Sequence, residues 1–391
     1  MNISSLIGLF FLFLSILKVH VNGKTNNFIV TEFGAAAYGI KDSKQAFANA
    51  WKKACQTPGG ILAVPAGKTF LLSGGDFVGP CNGKTIFRVD GTIVASNDPK
   101  LDDRDYWITF DNIARLIVVG NGVFNGNGAS SWSRCGPWNC KSRPTSLKIH
   151  NVRHSTINGI TSLNSKMFHI VIYKSHYMRL INLHIMAPPN SPNTDGIHIS
   201  KSSYVNILHS QIGTGDDCVS IGDGASNVNI TDVACGPGHG ISVGSLGRYK
   251  EEEDVSRITV SHCSLTNTEN GLRIKTLAPS LSSKLVSDVT YNDIAMNNVK
   301  NPIIIDQHYC PRANCLGGGE SNVQIKGVKF INVRGRSATE VGVNLQCSKT
   351  RPCQDLLFYG LQLTLDGRRP ASASCKNVNG RFQSSSPSRC T

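Results

Sequence analysis

Apolar and polar residues alternate along much of this chain, but the alternation slips at recurring places. An eight-residue pattern, apolar at places one, three, six and eight, recurs in STINGITS, MRLINLHI, VNILHSQI, VNITDVAC, ITVSHCSL, VTYNDIAM, VKFINVRG and LLFYGLQL. These octets begin at residues 155, 178, 205, 228, 258, 289, 328 and 356, so the starts lie 23 to 39 residues apart, the spacing of a structural repeat. Places one and three alternate as in a strand, then the phase slips by one residue before places six and eight resume. Such a slip means a corner. The fifth place holds Gly159, Asn182, His209, Asp232, His262, Asp293, Asn332 and Gly360 in turn, residue types that tolerate a bend or a left-handed backbone.

Short strands joined by bends predict an all-β, single-stranded, right-handed parallel β-helix in which each coil buries its apolar residues against its neighbours; a doubly wound α/β fold would need intervening helices. One helix is expected, in DSKQAFANAWKKAC, with Asp42 or Ser43 as N-cap and Phe47, Ala50, Trp51 and Ala54 on one face. It would cap the open N-terminal end of the stack. Cys263 takes the sixth place, where other octets have Ile160, Leu183, Val233, Ile294, Val333 and Leu361, and so should be a buried free thiol. The glycines of GNGVFNGNG, residues 120 to 128, fit tight coil turns; the spacing is wrong for a nucleotide-binding loop.

A second strand follows most octets, and its alignment concentrates the chemistry. Asp195-Gly-Ile-His-Ile, Asp217-Cys-Val-Ser-Ile, His239-Gly-Ile-Ser-Val and Asn270-Gly-Leu-Arg-Ile share one form. Equivalent places on successive coils stack about 4.8 Å apart. Asp195, Asp217 and His239 should therefore form a column with Asp216 beside it. Arg273 and Lys275 alternate with Leu272 and Ile274 and point outward from the same sheet. Strict alternation would turn Asp195 inward, so its strand must begin only after Gly196. A lone aspartate before glycine is an ordinary turn residue. Three acids at one level repel one another unless one keeps its proton, the arrangement that acid–base catalysis requires. An acid facing a carboxylate across a sugar linkage, with cations nearby, fits hydrolysis of a polymer of acidic sugars.

Charge and cysteine content narrow the partners and the compartment. Lysine and arginine number 40 against 26 acids, a formal charge of +14. The natural partner is a polyanion. Leu6 to Leu17 form an apolar run too short to span a bilayer, and Val21 with Gly23 suits signal-peptide cleavage, giving a signal peptide at 1–23 and one catalytic domain at 24–391. Export favours an acidic polysaccharide over nucleic acid, with no membrane association after the signal is removed. The 13 cysteines then read as disulfides rather than zinc ligands, with close neighbours at Cys135 and Cys140, Cys310 and Cys315, Cys347 and Cys353, and Cys375 and Cys390. One glycosylation acceptor lies beyond the signal, at Asn229.

The motifs Asn193-Thr194-Asp195-Gly196, Gly215-Asp216-Asp217-Cys218, Gly238-His239-Gly240 and Arg273-Ile274-Lys275 resemble, in order, the four signatures of the polygalacturonases of glycoside hydrolase family 28. The resemblance runs from about Phe28 to Cys390. It implies a pectin-lyase-like β-helix that hydrolyses α-1,4 linkages of polygalacturonate with inversion, as a secreted cell-wall monomer with no metal and no organic cofactor. It implies Asp216 as general acid, Asp195 and Asp217 as activators of water, and His239 as a partner to the acid. Arg273, Lys275, Tyr309 and Asn193 would contact substrate, and Cys218 would bridge to Cys235. Thr276-Leu277-Ala278-Pro279 departs from the family's usual continuation, which puts contacts beyond Lys275 in question. Segments such as NPIIIDQHYCP resemble the plant pollen exopolygalacturonases, which implies chain-end attack, with internal attack as the alternative. Two other classes compete on the same fold: calcium-dependent pectate lyases and non-catalytic wall-binding modules.

Overall fold

The computed structural model describes residues 26–133, 143–311 and 319–390. The expected signal segment and Cys135, Cys140 and Cys315 lie outside them. The strands stack as coils of a parallel β-helix. Eleven strands, from Gly75–Val78 to Ser372–Lys376, form one sheet in which each is hydrogen-bonded to the next in chain order, one strand per coil. The other 24 strands make a second, larger sheet. Among the described pairings, Thr364 and Leu365 with Pro370 and Arg369 form an antiparallel one; the rest are parallel.

The octets lie in the larger sheet and bend where the pattern requires. All eight fifth-place residues, glycine or not, have positive φ, from 49° at His209 to 79° at Gly159. His176–Ile181 and His184–Met186 flank one such corner at Asn182. The third-place residues Ile157, Leu180, Ile207, Ile230, Val260, Tyr291, Phe330 and Phe358 are buried in the core. Tyr291, Phe330 and Phe358 stack ring on ring, with centroids 5.0 and 5.1 Å apart. Ser155 breaks the apolar pattern yet is also buried; its hydroxyl donates to the Arg153 carbonyl and accepts from the Leu116 amide, both at 2.8 Å. In two later coils pairing runs on through the corner, giving strands Leu285–Val299 and Gln324–Ser337 that are longer than expected. The glycine turns near residue 120 are tight: at Gly120, φ is 129° and a Cβ would meet the Val89 carbonyl oxygen at 2.0 Å.

The helix, Lys44–Gln56, starts one residue after Ser43 and buries Phe47, Ala50, Trp51 and Ala54 as expected. Trp51 packs against Phe77, Phe87 and Phe110 and donates its indole N–H to the Val78 carbonyl, so the helix covers an apolar end that would otherwise meet water. A Cys55–Cys81 disulfide fastens it; the 26-residue separation carries no spacing signal, and sequence reasoning missed the pair. Cys218–Cys235, Cys347–Cys353 and Cys375–Cys390 are bonded, and Cys310 is also in a disulfide. Cys263 is free and buried, and burial pushes its thiol up to about 11. No described helix is long and apolar enough to cross a membrane.

Candidate active site

Strand register brings the acids together. Ile197, Val219, Ile241 and Leu272 are partners on four successive coils of the eleven-stranded sheet. Two residues before each, Asp195, Asp217, His239 and Asn270 therefore share one level. The strand after Asp195 begins at Ile197, so the acid lies in the turn before it, and the Gly196 amide donates to the Asp217 carbonyl at 2.9 Å. The His239 amide donates to the Asp216 carbonyl at 2.8 Å, which carries Asp216 alongside the column. The Cys218–Cys235 disulfide braces this turn from beneath.

The three carboxyls have different surroundings, and for the two buried ones, Asp195 and Asp217, the surroundings shift the proton in opposite directions. Asp195 is 6% exposed; burial and then the charges of Asp216 and Asp217 hold its carboxyl well above the usual range. Burial would also raise Asp217, but Lys275 and Arg273 outweigh it and hold that carboxyl below the usual range. Lys275 Nζ lies 2.8 Å from one Asp217 oxygen, and Arg273 donates to the other at 2.7 Å. Asp216 accepts from the Asp217 amide at 2.8 Å and meets His239 Nδ1 at 3.1 Å. That hydrogen bond raises the imidazole, with the nearby acids adding to it against partial burial, so His239 holds its proton above the ordinary histidine range.

One expectation changes in detail. Arg273 and Lys275 do face outward from the sheet, but each is less than a tenth exposed and both are engaged by Asp217 rather than presented to solvent. Tyr309 sits against them, its ring 6.0 Å from the Arg273 guanidinium carbon and 5.3 Å from Lys275 Nζ. Asn193 stands exposed at the cleft, at φ 52°. Asp195, Asp216, Asp217, Lys275, Tyr309 and Asn193 all line one cavity of about 470 Å³.

Sequence reasoning missed His198, Ser220 and Ser242. With Arg273 they are register partners and form an outward ladder, of which His198 and Ser220 line the cavity. Ser242 donates to Asp217 at 2.8 Å and accepts from Arg273 Nε at 3.0 Å. Ser220 hydrogen-bonds Asp195 and, at 2.9 Å, His198 Nδ1, while burial lowers His198 to about 4 and keeps it neutral. The signal was present: each residue stands between the two apolar places of the aligned strand and so must face outward.

The donor atoms of Asp216, Asp217 and His239 lie within 4.8 Å of one another, close enough for one ion. The set does not suit calcium, which takes six to eight oxygens. Here one of three groups is an imidazole, and Asp217 already carries two cationic partners.

A parallel β-helix that gathers a proton-bearing carboxyl, two more carboxyls and an imidazole in one cleft is built for acid–base chemistry. Comparison with known proteins places it more closely. The model of glycosyl hydrolases family 28 matches residues 55–389, and the chain belongs to that family. It is 41% identical over 381 residues to a polygalacturonase of Gossypium barbadense, covering 96% of this chain and 92% of that protein. It is 44% identical over 351 residues to an exopolygalacturonase of Arabidopsis thaliana, covering 89% and 81% respectively. Its fold matches the crystal structure of an endo-xylogalacturonan hydrolase from Aspergillus tubingensis with a TM-score of 0.80 at 23% identity, over 93% of this chain and 100% of that one.

Proposed function

We propose that the protein hydrolyses α-1,4-galacturonosyl linkages of polygalacturonate by an acid–base mechanism, acting from chain ends and releasing galacturonate in the cell wall. The observation that supports this most is the gathering of three carboxyls in one cleft, with Asp195 raised, Asp217 lowered and Asp216 hydrogen-bonded to His239. Asp216 is the general acid: with His239 it shares a proton across a 3.1 Å contact, and it delivers that proton to the glycosidic oxygen. His239, held protonated, resupplies it. Asp195 takes the proton of the attacking water, and Asp217 helps to orient that water.

Asp195 is the carboxyl whose burial and acidic neighbours most favour a resting proton, so it serves as the base only in its ionised form, taking one proton from the attacking water as the water oxygen bonds to the anomeric carbon. Asp217 has both oxygens engaged by cations, which stabilises its charge and makes it a poor covalent nucleophile. This favours direct attack by water, with inversion. The Asp216 and Asp217 atoms, within 4.8 Å, stand closer than the roughly 6.5–9.5 Å usual for an inverting pair. The anomer of the first product is therefore a sharp test: proton NMR should detect β-galacturonate first, and α-galacturonate first would refute inversion.

Chain-end attack is supported by the 44% identity to the Arabidopsis exopolygalacturonase. Chromatography of early digests of a galacturonate oligomer should yield monomer alone; mixed oligomers would establish internal attack instead. The disulfides support an oxidising, extracellular setting. A nitrophenyl galacturonide, whose leaving group needs little protonation, should rescue Asp216→Asn relative to the polymer but not Asp195→Asn. Equal loss on both substrates would remove Asp216 from the acid role.

A further inference from the structure

Arg273 and Lys275 spend donors on Asp217, whereas a polymer of acidic sugars brings a carboxylate with every unit, so a further cation on the cavity wall is a candidate carboxylate reader. Arg248 is the candidate. It lines the same cavity, beside Tyr249, and is exposed, with no ion-pair partner among the described residues. The wall around it also carries Asp223 and Glu252, but both are engaged. Asp223 has Lys201 at 3.8 Å. Glu252, 4% exposed, accepts from the Gly247, Arg248 and Tyr249 amides at 2.5, 2.9 and 3.2 Å and from the Ser282 hydroxyl at 3.0 Å.

A buried carboxylate gripping three successive amides makes the loop rigid before anything binds. The loop is held from the other side too: the Leu281 amide donates to the Gly247 carbonyl at 2.7 Å. Gly247 has φ 94°, and a Cβ there would sit 2.5 Å from the Ser280 Cβ, so this backbone approach admits no side chain. The long Arg248 side chain therefore projects from a fixed base, and its guanidinium can meet a carboxylate with two parallel hydrogen bonds.

We propose that Arg248 is a specificity residue that binds the carboxylate of a galacturonosyl unit in this cleft, and that Glu252 is the positioning residue that holds it there. The inference rests on the polygalacturonase reading above and deepens it. Charge-assisted hydrogen bonds of this kind carry about one to two powers of ten in affinity. In the full-length protein, Arg248→Gln should raise KM for tetragalacturonate about ten- to hundredfold and change kcat far less, with Arg248→Lys restoring part of the loss. Glu252→Gln should raise KM less and speed hydrogen exchange at the Gly247, Arg248 and Tyr249 amides, while Arg248→Gln leaves those amides protected. An unchanged KM in Arg248→Gln, with the wild type active, would overturn this proposal alone. A wild type that neither cleaves nor binds tetragalacturonate would overturn the polygalacturonase reading and this proposal with it.

Discussion

Two histidine–aspartate contacts in this molecule have nearly the same length and opposite significance. His209 and Asp232 meet at 3.2 Å at a corner of the larger sheet, with side chains 58% and 47% exposed. His239 and Asp216 meet at 3.1 Å at the edge of the cleft, with side chains 34% and 19% exposed; Asp216 lines the cleft and His239 a neighbouring hollow. The first pair arises because adjacent coils stack equivalent turn residues, whereas Asp216 lies one residue before Asp217, the stacking partner of His239, and reaches the imidazole from beside the column. Water screens the first pair, and such surface contacts contribute little. The second has two further carboxyls and two cations close by, so each proton depends on the others. Stacking supplies proximity everywhere on a β-helix; burial and neighbours turn proximity into chemistry.

The comparison can be broken most forcefully by removing the acids themselves. Asp216→Asn should lower the release of reducing ends from polygalacturonate by about 10² to 10⁴-fold, the usual worth of a general acid, while Asp232→Asn should leave the rate unchanged. Similar losses in both would mean the cleft is not special. Asp217→Asn should cost stability as well as rate, since Arg273 and Lys275 would remain buried without their counter-charge. A loss of about 3–5 kcal/mol in urea unfolding is expected, against about 0.5 kcal/mol or less for Asp232→Asn.

Buried polar groups outside the site should behave in the opposite sense. Tyr291 lies in the core with no hydrogen-bond partner for its hydroxyl among the described residues, and burial pushes its pKa up. Tyr291→Phe should raise stability by about 1 kcal/mol, read from the same unfolding curves. The smallest expected effect is on pH dependence. His239 is raised above its reference of 6.5, so its stabilising contribution is complete below about that pH and is lost as pH rises through the raised value. Unfolding midpoints should therefore fall as pH rises above 6.5, and His239→Gln should flatten that decline. Asp217 works in the other direction: its contribution is present above 3.8 and is lost as pH falls through its lowered value.

Much of this was legible in the chain because a β-helix repeats its environment. A positive φ at all eight fifth places follows from residue type and phase alone, since a corner recurs wherever alternation slips. The late start of the strand at Ile197 was legible for the same reason: Asp195 in phase with Ile197 would have buried a charge in the apolar core. The His198–Ser220–Ser242 ladder was encoded too, but serine and neutral histidine between apolar residues look like any solvated strand face. The Cys55–Cys81 link gave no signal because a cysteine pair across a helix and a loop has no characteristic spacing.

By itself the amino-acid sequence determined the coil repeat, the corners, the capping helix, the buried free thiol of Cys263 and the level at which the acids meet. Those properties depend on local periodicity and turn chemistry, which short stretches carry. Only the tertiary structure decided which charge belongs to which. Arg273 and Lys275 lie 56 and 58 residues beyond Asp217, and their commitment to it, like the pinning of Arg248 by Glu252, depends on distances and burial that exist only once the coils have closed on one another.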